Sequence, residues 1–100
     1  MNITVQELKK KMEAGEEFVL IDVREPYEHQ EFNIGGTLIP MGNLPNSLDD
    51  LAKHKNEEVI LYCRSGNRSG MAQQFLIQNG FKNVLNLTGG MLSWADVFGT

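Results

Sequence analysis

Short runs of mainly apolar residues recur along the chain and are separated by segments with a helical spacing of apolar positions. Four such runs, at residues 18–21, 37–39, 59–62 and 84–87, are bounded by polar residues, glycine or proline. Runs of this length are typical of strands that are covered on both faces, as in a parallel sheet. The pattern therefore predicts four buried strands.

Helical patterns occupy the segments around these strands. Val5, Leu8 and Met12 lie on one face of a first helix, which begins at a capping box formed by Thr4 and Glu7. Further helices are predicted over residues 26–31, 45–53 and 68–79, and after the glycine pair at 89–90. Strands that alternate with helices indicate βαβ units, so the chain is predicted to have an α/β fold with a parallel sheet.

Composition and charge narrow the classes of protein to which the chain can belong. Its 100 residues suffice for a single domain, predicted over 1–100, and the 41% of hydrophobic residues is ordinary for a globular protein. The net charge of −4 opposes binding to nucleic acid, whose phosphates are held mainly by Lys and Arg. No apolar run could span a membrane, and the N-terminus lacks a signal-peptide pattern. We therefore expect a cytoplasmic protein with neither nucleic-acid nor membrane partners.

Cysteine and histidine are too sparse to suggest a disulfide framework or a metal centre. The chain has one cysteine, Cys63, and two histidines, His29 and His54, which lie on separate predicted helices. A single thiol cannot form an internal disulfide, and no pattern of metal ligands surrounds the histidines. We expect no metal and no cofactor.

Cys63 directly follows the predicted strand 59–62, at the end of a sheet where α/β proteins bind ligands. The next helix offers unpaired N–H groups at its start, and Gly66 allows the backbone to curl these groups around an anion. Arg64 and Arg68 add positive charge. Cysteines in such surroundings have pKa values of roughly 3.5 to 7.5 instead of about 8.5. Cys63 is therefore predicted to be a reactive nucleophile.

The alternative is that Cys63 is a small buried side chain without chemistry, as free cysteines often are. Two arginines and a glycine in the same loop make a poor apolar pocket. The composition of the loop thus favours the reactive cysteine.

Four segments together resemble the compact, single-domain form of the rhodanese-like sulfurtransferases. They are residues 21–28 (IDVREPYE), 59–69 with CRSGNRS at its end, 79–84 (NGFKNV), and 87–91 (LTGGM) with Trp94. The segments occur in the order of the family and span nearly the whole chain. The family usually has Gly-His-Ile where this chain has Phe-Asn-Ile at 32–34, which affects the rim of the cleft and not the cysteine loop.

The resemblance implies both a fold and a reaction. The fold is α/β, with a mainly parallel five-stranded sheet flanked by helices on both faces. Cys63 would take a sulfane sulfur from thiosulfate, a polysulfide or a protein persulfide, hold it as a persulfide, and pass it to a thiol or small redox protein. The expected substrates are small sulfur-containing anions, the expected state is a monomer, and the loop that encloses the transferred atom is expected to comprise Arg64, Ser65, Gly66, Asn67 and Arg68.

Asp22, Arg24 and Ser69 are expected to support this loop without touching the substrate. Asp22 and Arg24 stand at the end of a buried strand, where charge-assisted hydrogen bonds could orient the loop. The alternative for this pair is an ordinary ion pair that closes the strand.

The two loop arginines are assigned different directions. Arg64 is expected to project outward, where it would meet an anionic donor or remain solvated. Arg68 is expected to begin the helix and to point back to Asp22 or Glu25. Trp94 is expected to cover the core.

Two other functions remain open at this point. A cysteine phosphatase or arsenate reductase of a related fold has a longer loop, with arginine as the sixth residue after the cysteine, whereas Arg68 is the fifth after Cys63. The shorter loop favours a single sulfur atom over a tetrahedral oxyanion. A module that docks a partner or relays sulfur with little free turnover is the second alternative.

Overall fold

Five strands and five α-helices follow one another along the 100 residues that the computed structural model describes. The strands are β1 (Asn2–Ile3), β2 (Val19–Asp22), β3 (Thr37–Leu38), β4 (Glu58–Tyr62) and β5 (Asn83–Leu87). The helices are α1 (Val5–Glu13), α2 (Pro26–Glu31), α3 (Leu48–Leu51), α4 (Asn67–Gln78) and α5 (Gly90–Phe98). None of them combines the length and the apolar character that crossing a bilayer requires.

The strands form one sheet in the order β1-β5-β4-β2-β3, and every pairing is parallel. The five-stranded α/β fold implied by the resemblance is confirmed, with a sheet that is wholly parallel. The hydrophobic pattern missed β1, because two residues, Asn2 and Ile3, are too few to form a recognisable run. They pair with Asn86 and Leu87 and so extend the edge of the sheet beyond β5.

Each face of the sheet has its own apolar layer, because successive side chains of a strand point to opposite faces. Ile60 and Tyr62 of β4 pack in the layer that α1 and α5 cover, together with Trp94. Val59 and Leu61 pack in the layer covered by α3 and α4. The helices therefore lie on both faces, and Trp94 covers the core as expected.

The prediction of one regular helix over residues 45–53 is wrong. The structure has 3₁₀ turns at Pro45–Ser47 and Ala52–His54, with only the short α3 between them. Proline, asparagine, serine and aspartate are concentrated here, and all are poor residues for a helix interior. The leucines of this segment still pack inward, since Leu44 and Leu51 are buried.

Leu76 should contribute strongly to stability, because its fully buried side chain joins α4 to the sheet. Replacing Leu76 with Ala should lower the free energy of unfolding by about 2–5 kcal/mol, from lost burial and a residual cavity. The neighbouring Ile77 is 43% exposed, and Ile77→Ala should change the free energy by less than about 0.5 kcal/mol. Urea unfolding followed by circular dichroism measures both, and equal losses would contradict this orientation of α4.

Candidate active site

The direction of the Cys63 side chain follows from its position in the strand alternation. Cys63 comes directly after β4 and continues the face of Val59 and Leu61, so it points to the side that α4 covers. The residue is 1% exposed. Cys63 is thus as buried as the alternative of an inert side chain supposed, but it faces the hydrogen-bond donors at the beginning of α4 and not an apolar cavity.

Three hydrogen bonds converge on the Sγ atom of Cys63. The backbone N–H of Gly66 donates over 3.1 Å, and both the N–H and the hydroxyl of Ser69 donate over 3.3 Å. Gly66 has a φ of +100°, a left-handed conformation that glycine adopts at little cost, and this turn aims the amides at the sulfur. The predicted ring of N–H groups is therefore present, and Ser69 touches the sulfur directly rather than from behind the loop.

Hydrogen bonding stabilises the ionised form of Cys63. Burial by itself raises the pKa of the thiol, but the Ser69 hydroxyl and the amides of Ser69, Gly66 and Ser65 together lower that pKa below its ordinary value. Neither loop arginine donates a hydrogen bond to Sγ. Oriented amides and one hydroxyl are thus the main stabilisation of the Cys63 thiolate. Arg64 and Arg68 were expected to supply part of this stabilisation.

Asn86 of β5 closes the hydrogen-bond network behind the sulfur, and it was missed in the sequence. Its side-chain amide donates to the carbonyl of Gly66 over 3.0 Å, and its oxygen accepts from the Ser69 hydroxyl over 2.5 Å. The hydroxyl has one hydrogen, which it can donate to Asn86 or to the sulfur of Cys63. When Cys63 is protonated, its S–H can donate to Ser69 instead, so the contact serves both protonation states.

The beginning of α5 holds the other side of the cysteine loop. The N–H groups of Met91 and Leu92 donate to the carbonyls of Cys63 and Arg64 over 2.9 and 3.0 Å. This approach requires Gly90, because a Cβ atom there would lie 2.3 Å from the Cys63 carbonyl oxygen and φ is +54°. The loop carbonyls therefore face α5 while its amides face the sulfur.

The remaining loop residues are accessible from outside. Arg64, Ser65 and Asn67 are exposed. Arg64 projects outward as expected, and it makes no ion pair. These residues are therefore available to a donor approaching the loop.

Asp22 and Arg24 form a buried cluster that differs from the expected one. Arg24 donates to both carboxylate oxygens of Asp22, and His29 Nδ1 lies 2.8 Å from Oδ2. Arg24 also donates to the carbonyl of Phe32. Burial raises the pKa of Asp22, but the hydrogen bonds from Arg24 and His29 lower it more. The structure gives neither Asp22 nor Arg24 a hydrogen bond to the loop, and the cluster instead anchors α2 to the end of β2.

The partner expected for Arg68 was wrong. Arg68 binds Glu28 of α2 through both carboxylate oxygens, over 2.7 and 2.9 Å. Asp22 is already occupied by Arg24 and His29, and Glu25 is exposed. Glu28 lies within the segment that carries the family resemblance, but no spacing rule links it to a residue forty positions away.

The site contains no arrangement of three or more His, Cys, Asp or Glu side chains that could hold a metal ion. The functional groups of the site are one sulfur atom, the hydrogen-bond donors aimed at it and two arginines.

Comparisons with known proteins show to which proteins the chain is similar. A model of the rhodanese-like domain matches residues 4–96. The chain is 44% identical over 93 residues to the putative sulfurtransferase YtwF of Bacillus subtilis, which covers 92% of this chain and 87% of that protein. It is 34% identical to the putative sulfur carrier protein YrkF of the same organism over 92% of this chain and 49% of that relative, about half its length. A crystal structure of a rhodanese-like domain protein from Staphylococcus aureus matches with a TM-score of 0.84 and 33% identity, over 94% of this chain and 91% of that one.

The Ser69 hydroxyl should lower the pKa of Cys63 measurably. Alkylation by iodoacetamide requires the thiolate, so its rate rises with pH through the pKa of Cys63, which should lie below the value of about 8.5 for free cysteine. Ser69→Ala removes a hydrogen bond to the sulfur and should shift the inflection to higher pH. Ser65→Ala is the matched control, because Ser65 contributes through its amide, and it should leave the inflection in place. An unshifted profile in Ser69→Ala would refute this role.

Gly90 should be required for the shape of the loop. In Gly90→Ala the new Cβ would collide with the carbonyls of Cys63 and Arg64, at 2.3 and 2.6 Å, and the loop must move. Because a misplacement of about 1 Å can cost a hundredfold in rate, sulfur loading of Cys63 should slow by about a hundredfold. Gly42→Ala meets nothing within 4 Å and serves as the control. Wild-type rates in Gly90→Ala would show that α5 does not hold the loop.

Proposed function

The chain belongs to the family of rhodanese-like sulfurtransferase domains, and we propose that it moves a sulfane sulfur atom from a donor to a thiophilic acceptor through a persulfide on Cys63. One observation carries the proposal. The Sγ atom of the only cysteine accepts hydrogen bonds from Gly66 and Ser69 where α4 begins, so it is held as a ready nucleophile.

The first half-reaction transfers one sulfur atom to Cys63. The thiolate attacks the outer sulfur of the donor, a new S–S bond forms to Sγ, and the donor's own bond to that sulfur breaks. Thiosulfate then leaves as sulfite, whereas an organic persulfide leaves as a thiolate. No electrons enter or leave overall, and the negative charge passes from Cys63 to the leaving group and the new persulfide.

The loop also suits the intermediate. A persulfide places its outer sulfur one bond beyond Sγ, among the residues from Arg64 to Arg68. Amides at a helix start stabilise an anion without having to reorganise. Exposed Arg64 and Asn67 stand on the outer side of this space, where the donor would arrive.

The second half-reaction returns the sulfur. A thiolate of the acceptor attacks the outer sulfur of the persulfide, the S–S bond to Cys63 breaks, and Cys63 leaves as a thiolate. A small thiol or a redox protein would serve in the cell, and cyanide would serve in an assay. Because the donor product departs before the acceptor binds, the kinetics should be ping-pong.

Delivery of sulfur to a protein partner is a second candidate, and it overlaps with the first. A relative named a sulfur carrier matches 92% of this chain. An apolar pocket lies beside α4 and is lined by Met41, Leu44, Pro45, Met71, Ala72 and Phe75. Met71 is 58% exposed there. Fast transfer from Cys63 to one protein, with little transfer to small thiols, would favour this candidate.

The spacing of the loop supports sulfur rather than phosphate chemistry. Arg68 is the fifth residue after Cys63 and is already bound to Glu28 through two hydrogen bonds. An oxyanion site would need that guanidinium free to bind the transferred group. Turnover of a phosphate ester that is lost in Cys63→Ser would instead support a phosphatase.

Sulfur loading can be observed directly, because the chain has one cysteine. After treatment with thiosulfate, polysulfide or an organic persulfide, the intact wild-type protein should gain one sulfur atom by mass spectrometry, and Cys63→Ser should gain none. Addition of a thiol should return the original mass with release of the sulfur to that thiol. A wild-type protein that stays unmodified with all three donors would refute the proposed function.

A further inference from the structure

The positive charge of the cysteine loop is half neutralised within the protein. The loop has two cations, Arg64 and Arg68. Arg64 is exposed and makes no ion pair, whereas Arg68 donates through Nη1 and Nη2 to the two oxygens of Glu28. A planar, two-point pair of this kind is the same arrangement that a guanidinium would use to bind a sulfonate or a carboxylate of a substrate. Glu28 thus occupies the binding edge of Arg68.

Glu28 remains charged under all ordinary conditions. The hydrogen bonds from Arg68 are the largest influence on it and lower the pKa of Glu28 to about 2. The side chain of Glu28 is 13% exposed and that of Arg68 is 33% exposed, so water screens the pair only in part. The pair therefore persists at neutral pH.

A further hydrogen bond, from a donor other than Arg68, fixes the position of the Glu28 carboxylate. Its Oε1 also accepts from the backbone N–H of Glu25 over 3.0 Å, at the start of α2. The helix itself is tied to the sheet through the contact of His29 with Asp22 and through Arg24, which donates to the Phe32 carbonyl. The Glu28 carboxylate cannot leave Arg68 without loss of its hydrogen bond from Glu25. An incoming anion must therefore compete with a carboxylate that is held in place.

We propose that Glu28 determines the class of sulfur donor, by disfavouring the dianion thiosulfate and leaving organic persulfides as the preferred donors. The inference rests on the proposed function and concerns its first half-reaction. Thiosulfate brings two negative charges to a Cys63 thiolate, and Arg64 is the one loop cation that no carboxylate already binds. An organic persulfide, R–S–SH, presents its outer sulfur to Sγ and departs as a thiolate R–S⁻, so it needs no site for a sulfonate.

The overall charge of the chain acts in the same direction. Its net charge is −4, and exposed Glu25 precedes the helix that bears Glu28. Long-range attraction of a divalent anion is therefore weak, and the local cation is the determining feature. A persulfide whose carrier group has no charge brings at most one negative charge, against two for thiosulfate, and so reduces both penalties.

The test compares two donors in single-turnover loading of Cys63. Thiosulfate and 2-hydroxyethyl persulfide are each mixed with the protein, and the second-order rate constant of sulfur gain is followed by rapid quenching and mass spectrometry. The wild type should load faster from the persulfide. Glu28→Gln keeps an oxygen acceptor for Glu25 but removes the charge, and it should raise the rate with thiosulfate about tenfold while changing the persulfide rate less than about twofold.

Glu31→Gln is the matched control, because Glu31 is exposed on the same helix and the substitution removes the same charge. It should leave both rates unchanged. If a substitution changed the reactivity of Cys63 itself, the rate constants with both donors would change alike. The ratio of the two rate constants therefore isolates the role of Glu28. Equal changes with the two donors in Glu28→Gln would overturn the inference.

If Glu28→Gln does not fold, a second variant tests whether loading from thiosulfate depends on the one free loop cation. Arg64→Gln removes the free cation and should slow loading from thiosulfate about tenfold or more, and loading from the persulfide by a clearly smaller factor. Faster loading of the wild type from thiosulfate than from the persulfide would overturn the donor assignment and leave the proposed function intact. No loading from either donor would overturn both.

Discussion

The convergence of amide hydrogens on the sulfur of Cys63 is the constraint on which the rest of the structure depends. Amides can point inward only if the carbonyls of the same loop point outward and find partners of their own. Met91 and Leu92 supply two of those partners, and Asn86 supplies a third for Gly66. The site is therefore assembled from β4, β5, α4 and α5 at once, and a parallel sheet brings these elements to the same edge.

Charge plays a smaller part in the site than the two loop arginines suggest. Arg24 and His29 bind the buried Asp22, and Arg68 binds Glu28. Each of these contacts fixes α2 against the sheet or against α4. The sulfur of Cys63 is left to oriented dipoles, which are already in place and need no mobile counterion. In the proposed function, these dipoles would stabilise the outer sulfur of a persulfide on Cys63.

Much of the fold could be predicted from the sequence, and the remainder depends on contacts that local patterns do not contain. Apolar runs located four strands and placed Cys63 at the end of β4, because a buried strand imposes its pattern on consecutive residues. The edge strand β1 has only two residues and leaves no such pattern. The partners Glu28 and Asn86 lie forty and seventeen residues from the loop residues they bind. The one sequence signal for these contacts is that Asn86 is a polar residue within an apolar run.

The strand alternation that turns Cys63 toward α4 also limits how the chain can change in length during evolution. Ile60 and Leu61 belong to opposite layers, so one inserted or deleted residue in β4 would exchange the layers for everything that follows in the strand. Cys63 would then face α1 and α5. The irregular segment at 41–55 can tolerate insertions, but the number of residues from β4 to Gly66 must stay constant. Homologous chains that retain the chemistry should therefore align there without gaps.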